Sequence, residues 1–365
     1  MIAAFGRYLR GLELDPSIAK RFRRRPLCET LSGNTIEMLT VTSFMADPEA
    51  IAKRKGIVIS SRVHPGESNA SHMMQGIIDY LVGPSLDAKI LRDNFVFKLV
   101  PMLNVDGVVV GNYRCSLAGL DLNRMWRDAS RRITPSIFAC KAMLRRLQED
   151  RDVVLFCDLH GHSRKHNVFC YGCDSRHDPR PDRRYQEMIF PRLLWRNSSV
   201  FSFSDCSFKV QRSKESTARV VVRKELGIIN SFTLEASLAG PNFGRLAGTH
   251  LTPAVLREVG HAFCDTILDY FDPDPAKREA VTEELRLLYP TGFIGGEGDS
   301  EGSDGNPEED CLEQARPLFP SRSPPLLCIE QPLTCPPPTY SDLVTYAHPP
   351  LYLAPFLLTC VPPAP

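Results

Sequence analysis

Apolar residues recur along the first 275 positions in two alternating rhythms. Ile36 to Val41 alternates apolar and polar side chains (I-E-M-L-T-V), the period-two pattern of a half-buried strand. Ile57 to Val63 is more uniformly apolar and reads as a buried strand, as do Phe95 to Met102, Val153 to Cys157 and Gly227 to Leu234. Between these runs the spacing turns helical. Met73, Met74, Ile77, Ile78 and Leu81 predict a helix over Ala70–Val82, which Gly83-Pro84 stops. Ile137–Leu147 and Pro253–Phe271 read as further helices, and residues 9–25 as a short one with a basic end. Asn104-Val105-Asp106-Gly107 reads as a turn.

Strands alternating with helices predict an α/β fold, with a mixed, largely parallel central sheet flanked by helices. Ligands of such sheets bind beyond the carboxyl ends of the strands. His64, Glu67, His160 and Glu235 are all expected just past such ends, so four separated segments would meet on one rim.

The rhythm stops near residue 275. Sixteen of the 30 Pro residues lie from Pro290 onward, beside Gly, Ser and an acidic run over Glu297–Asp310. The expected organisation is a folded catalytic domain over 1–275 and a Pro-rich, partly acidic, disordered tail over 276–365, PPII-like from 290 on. Pro337-Pro338-Thr339-Tyr340 matches a short ligand pattern for a WW domain, against a plain solvated linker.

Composition narrows the function classes. Hydrophobic residues make up 43% and charged ones 24%, enough for a core, and a net charge of +1 argues against a nucleic-acid binder. No apolar run approaches the roughly 20 residues that span a bilayer, so no membrane partner is expected. The 12 Cys are scattered and no secretory signal opens the chain, which predicts reduced thiols. Cys170-Tyr171-Gly172-Cys173 is a lone pair without the second pair a structural zinc would need. The basic run Lys20–Arg25 reads as solvated surface, with an acidic partner as its alternative.

The candidate chemistry sits in Ser61-Arg62-Val63-His64-Pro65-Gly66-Glu67-Ser68 and Asp158-Leu159-His160-Gly161-His162. Two His and one Glu form the ligand set of a catalytic zinc site that keeps a fourth position open. His160 and His162 would share a face of an extended strand, so spacing does not choose between them. Glu235, closing the apolar strand before it, is the candidate general base, with burial expected to raise its pKa. Asn112-Tyr113-Arg114 and Asp121-Leu122-Asn123-Arg124 supply two guanidiniums and an amide in one short segment. Such groups suit capture of a carboxylate and of a developing oxyanion. Each taken alone is an ordinary surface or strand-end residue; the case rests on their joint occurrence in order.

SRVHPGES, PMLNVDGVVVGNYRCSLAGLDLNRMW, CDLHGHSRKHNVFCYGCD and NSFTLEASLAG resemble the cytosolic carboxypeptidases, the tubulin-deglutamylating branch of the zinc metallocarboxypeptidases, with types 2 and 3 nearest. The resemblance covers roughly residues 8–272. It implies that His64, Glu67 and His160 bind one Zn2+, that Glu235 is the base and that Arg114 polarises the scissile carbonyl. It implies that Asn123 and Arg124 hold the terminal carboxylate of acidic protein tails, tubulin above all. An acidic side chain needs a cation in the first pocket: Arg219 is the choice, with Lys214 and Arg212 as alternatives. A cytoplasmic location, at microtubules, centrioles or ciliary basal bodies, is implied by the family alone.

Three departures accompany the resemblance. Met1 begins almost at the catalytic domain, so the all-β domain that precedes it in the family is expected to be absent. Val105 stands where the family usually shows Pro, and Phe208–Thr233 holds no Tyr, so no phenol is assigned to the site. The expected activity is removal of C-terminal glutamate. The rivals are a silent binder of acidic tails and a zinc amidohydrolase of small acyl amides.

Overall fold

Among the described residues seven strands build a single sheet: β1 (Phe22–Glu29), β2 (Thr35–Val41), β3 (Lys55–Ser61), β4 (Phe95–Val100), β5 (Val153–His162), β6 (Val168–Tyr171) and β7 (Asn230–Ser237). Their spatial order is β1-β2-β4-β3-β5-β7-β6. The centre, β4-β3-β5-β7, is parallel. The borders are antiparallel, with β1 and β2 on one side and β6 on the other. The computed structural model describes residues 2–175 and 183–290, all within one unit, Met1–Pro317; a second unit, Leu318–Pro365, lies outside the described residues.

Ten helices accompany the sheet: α1 (Ile2–Leu14), α2 (Pro48–Lys53), α3 (Ser68–Val82), α4 (Leu86–Asn94), α5 (Val105–Val110), α6 (Pro135–Asp150), α7 (Gln186–Asn197), α8 (Ala218–Leu226), α9 (Pro253–Tyr270) and α10 (Ala276–Leu288), counted among the described residues. Because successive strand side chains point to opposite faces, each central strand feeds two cores. Ile57, Ile59, Leu155, Leu159, Phe232 and Leu234 pack with α3, α7 and α9. Val58, Val100 and Phe156 pack on the other face with Ile137 and Leu144 of α6 and Val221 of α8. Burial on both faces explains why these strands read as continuous apolar runs.

α3 and α9 meet where glycines permit it. A Cβ on Gly76 would stand 2.2 Å from the Arg257 carbonyl oxygen, and one on Gly260 would stand 2.3 Å from the Met73 oxygen. The two backbones therefore touch, which fixes α3 and, at its N-terminus, the turn that carries His64 and Glu67.

Several expectations need correction. The helix expected over 9–25 is α1 ending at Leu14, and the basic run enters edge strand β1 instead. Only Phe22 of that run is buried; the arginines face water or pair, Arg24 with Glu13 and Glu37. Asn104–Gly107 is the first turn of α5, because the Asn104 side chain accepts the Gly107 N–H (3.1 Å) as an N-cap. β5 continues through His162 and β7 through Ser237, so His160 and Glu235 lie within strands rather than past them. The expected tail boundary at 275 falls too early, since α10 follows it and buries Val281 and Leu285. The Pro-rich pattern at Pro337–Tyr340 lies outside the described residues. Eight cysteines among the described residues are free thiols, all buried except the partly exposed Cys28. No helix among the described residues is long and apolar enough to cross a membrane.

Candidate metal centre

β3 ends at Ser61, and the chain turns at once because Arg62 adopts φ 55°, the left-handed region. A non-glycine residue there costs about 1–3 kcal/mol and persists only when its surroundings hold it. Arg62 is held on all sides. Its carbonyl accepts the Asn104 N–H (3.1 Å), and its buried guanidinium donates to Ser71 Oγ (2.8 Å) and to the Pro65 carbonyl. The Asn104 amide adds a bond to the Val63 carbonyl (3.1 Å). The turn so clamped presents His64.

Glu67 occupies the N-cap position of α3, yet its side chain caps nothing. It turns instead to the imidazoles: His64 Nδ1 lies 2.6 Å from Oε1, and His160 Nδ1 lies 3.0 Å from Oε2. The Gly161 N–H donates to Oε2 as well (3.0 Å). One ligand atom from each of His64, Glu67 and His160 lies within 4.8 Å of the others, and all three residues are at most 5% exposed.

The outer ring nitrogens are also engaged. His64 Nε2 donates to Asp121 Oδ1 (3.1 Å), and His160 Nε2 donates to Asp158 Oδ2 (2.7 Å). A carboxylate behind each imidazole fixes the tautomer and leaves the Nδ1 lone pair facing inward. Two lone pairs and the Glu67 carboxylate then point at one another in a dry site. That arrangement demands a cation between them, which is the chemistry of a divalent metal site with nitrogen and oxygen donors.

Electrostatics agree. Burial opposes the charge on Glu67, but the flanking imidazoles of His64 and His160 outweigh it and hold the carboxyl well below its usual range. Burial likewise disfavours protonation of His160, yet Asp158 and Glu67 raise its pKa well above the ordinary value. His64 shifts upward for the same reason: burial lowers it, Glu67 and Asp121 overcome that, and Arg114 opposes them.

The remaining residues distribute around this centre. β5 and β7 pair in parallel with His160 opposite Glu235, which sets the Glu235 carboxylate on the same sheet face, 8% exposed. Arg114 donates from Nε (3.0 Å) and Nη2 (2.8 Å) to Asp121 Oδ2, so one carboxylate orients both a metal-facing imidazole and this guanidinium. Asn123 commits its Oδ1 to the Ala218 N–H (2.9 Å) at the start of α8, which leaves its Nδ2 group to donate. Arg124 sits beside them, 3.8 Å from Asp121. Arg219 is 3% exposed, donates to the Gly172 carbonyl (3.1 Å) and stacks over the Tyr171 ring. Arg212 and Lys214 form a short 3-10 turn with less burial.

The geometry also separates the two histidines. His162 Nδ1 accepts the N–H groups of Arg164 (3.2 Å) and Lys165 (2.8 Å), which ties its ring to the turn after β5. Sequence reasoning gave Asp121 and Asp158 no role. For Asp158 the signal was present: it stands two residues before His160 on one strand, hence on the same face. For Asp121 no spacing rule reveals a contact 57 residues from His64.

Residues 13–196 match the family model described as zinc carboxypeptidase. The chain is 49% identical over 283 residues to cytosolic carboxypeptidase 3 of Mus musculus, covering 77% of this chain and 28% of that protein. It is 45% identical over 284 residues to cytosolic carboxypeptidase 2 of Homo sapiens, covering 77% and 31%. The chain thus spans less than a third of the length of these relatives. A metallo-carboxypeptidase structure from Burkholderia cenocepacia shares the fold at a TM-score of 0.63 and 23% identity, covering 73% of this chain and 68% of that one.

Proposed function

Because the chain belongs to the zinc carboxypeptidase family and is most like its cytosolic types 2 and 3 among the relatives above, we propose that it removes C-terminal acidic residues, chiefly glutamate, from protein tails such as those of tubulin. The observation that carries this reading is the inward convergence of His64 Nδ1, His160 Nδ1 and the Glu67 carboxylate, each imidazole backed by its own aspartate. These three residues would hold zinc, which when bound acidifies a water and polarises a carbonyl.

The chain's own groups supply the rest. Glu235 takes the proton of the attacking water and passes it to the leaving amine. The Arg114 guanidinium, locked by Asp121, meets the oxygen on which negative charge develops; a preorganised donor costs no reorganisation when charge appears. Arg124 and the Asn123 Nδ2 group hold the substrate's terminal carboxylate, the arginine offering a fork that matches its geometry. Arg219 is the cation for the acidic side chain, favoured over Arg212 and Lys214 by its burial, where a charge pair is less screened. The names of the relatives support a cytoplasmic setting; microtubules, centrioles and ciliary basal bodies are where acidic tails would be met. A WW-domain partner for Pro337–Tyr340 remains part of the same proposal.

The test is release of glutamate from a C-terminal polyglutamate peptide by the zinc-loaded chain, by the chain with chelator, and by Glu235→Ala. The expected result is zinc-dependent release that chelator stops and Glu235→Ala lowers by about 100-fold or more. Folded, zinc-loaded protein that releases nothing would sink the proposal.

A further inference from the structure

The stretch Phe208–Thr233 brings no phenol to the site, but the metal turn carries one from elsewhere. The Tyr113 ring packs against Gly66, between His64 and Glu67 in sequence; a Cβ on Gly66 would stand 2.4 Å from Tyr113 Cδ2. The contact is fastened by the backbone, since the Gly66 N–H donates to the Tyr113 carbonyl (2.7 Å). Only glycine admits an aromatic ring this close. Tyr113 also precedes Arg114, whose guanidinium is pinned by Asp121. Burial raises the pKa of its phenol, and Glu67 and Glu235 both lie near enough to act on it electrostatically. Although so surrounded, the residue is 47% exposed.

A large aromatic side chain anchored at its base on the metal turn and half open to solvent, beside a buried metal-ligand cluster, is placed to meet whatever enters. We infer that Tyr113 is a substrate-binding residue, whose phenol donates a hydrogen bond to a main-chain carbonyl of the peptide lying over the metal turn. With nearly half of its surface open, the side chain can offer its phenol proton to such an acceptor. The bond is made to the substrate before and during reaction alike, so it contributes to binding rather than to the chemical step.

This inference rests on the proposed peptidase reading, and two readouts keep the failures apart. Glutamate release from a C-terminal polyglutamate peptide is measured for the zinc-loaded chain with Tyr113, Tyr113→Phe and Tyr113→Ala. Binding of the same peptide is measured by calorimetry on Glu235→Gln, with and without Tyr113→Phe. Tyr113→Phe keeps the ring on Gly66 and loses only the hydroxyl. The expected result is a rise in KM of about three- to tenfold with kcat nearly unchanged, matched by weaker binding of the same factor. Tyr113→Ala, which also frees the turn, should lose more. Equal KM and equal binding for Tyr113→Phe overturn the inference, as does a loss that tracks missing zinc by mass spectrometry. If the unaltered chain releases nothing but Glu235→Gln binds peptide, the peptidase reading fails and the binding ratio alone decides Tyr113. If neither protein binds, both fall together.

Discussion

At the scale of single residues, the centre depends as much on the groups behind the ligands as on the ligands themselves. Asp158 is fully buried, accepts from His160 Nε2 (2.7 Å) and from Ser60 Oγ (2.6 Å), and therefore aims the imidazole through a fixed chain of bonds. Asp158→Asn keeps the volume and loses the charge, so zinc affinity should fall about 10- to 100-fold. Competition with a chelating indicator measures this, and an unchanged affinity would remove Asp158 from the site. The sign of the pH effect follows from the same contacts. Both imidazoles have raised pKa values, so protons compete with metal for Nδ1 from a higher pH than at ordinary histidines, and zinc is lost as pH falls. The turn that carries His64 and Glu67 was legible because it follows the end of β3, whereas Glu235 was read as closing its strand and lies inside β7. The choice of His160 over His162 came only through the family resemblance, since their common face hides the turn that occupies His162.

At the scale of elements, the position of Glu67 is inherited from the seating of α3 against α9. Their backbones touch through Gly76 and Gly260, and any side chain there must push the helices apart. Gly260→Ala should destabilise the fold by about 1–3 kcal/mol, or more if the backbone cannot give, despite alanine's better helix propensity. Thermal melts check this; a gain in melting temperature would show that the helix pair can relax. The buried parallel strands and the long helices α3, α6 and α9 were readable from periodicity, since each buries a broad apolar face. α7 and α8 were not. α7 carries Pro191 within its run, and α8 is nine residues long, too short for the spacing to repeat. β1 was mistaken for helix because an edge strand with one wetted face shows little apolar signal: only Phe22 is fully buried, with Leu27 and Cys28 partly so.

At the scale of the whole molecule, the folded part does not stop where the helical rhythm fades. α10 seats Val281 and Leu285 in the core, Glu284 pairs with Arg192 and Arg196, and the Tyr185 hydroxyl donates to the Tyr289 carbonyl (2.7 Å). A chain ending at residue 275 should melt well below one ending at residue 290, because two buried aliphatic side chains each contribute about 1.5–3 kcal/mol. Coincident melts would show that α10 adds nothing. Composition misplaced this border because nearly half of α10 is charged, and its buried contribution rests on positions four apart, Val281 and Leu285. The two rims of the sheet carry a consequence of their own. An unpaired strand border is a template on which another chain can crystallise into β-structure. Here the β1 border holds three successive arginines, then Pro26, which has no N–H to offer, then a break in register before Cys28. The β6 border is only four residues long and is bridged by Phe201 and Ser207. The charged β1 border and the short β6 border thereby give both rims the features that disfavour edge-to-edge pairing with another chain.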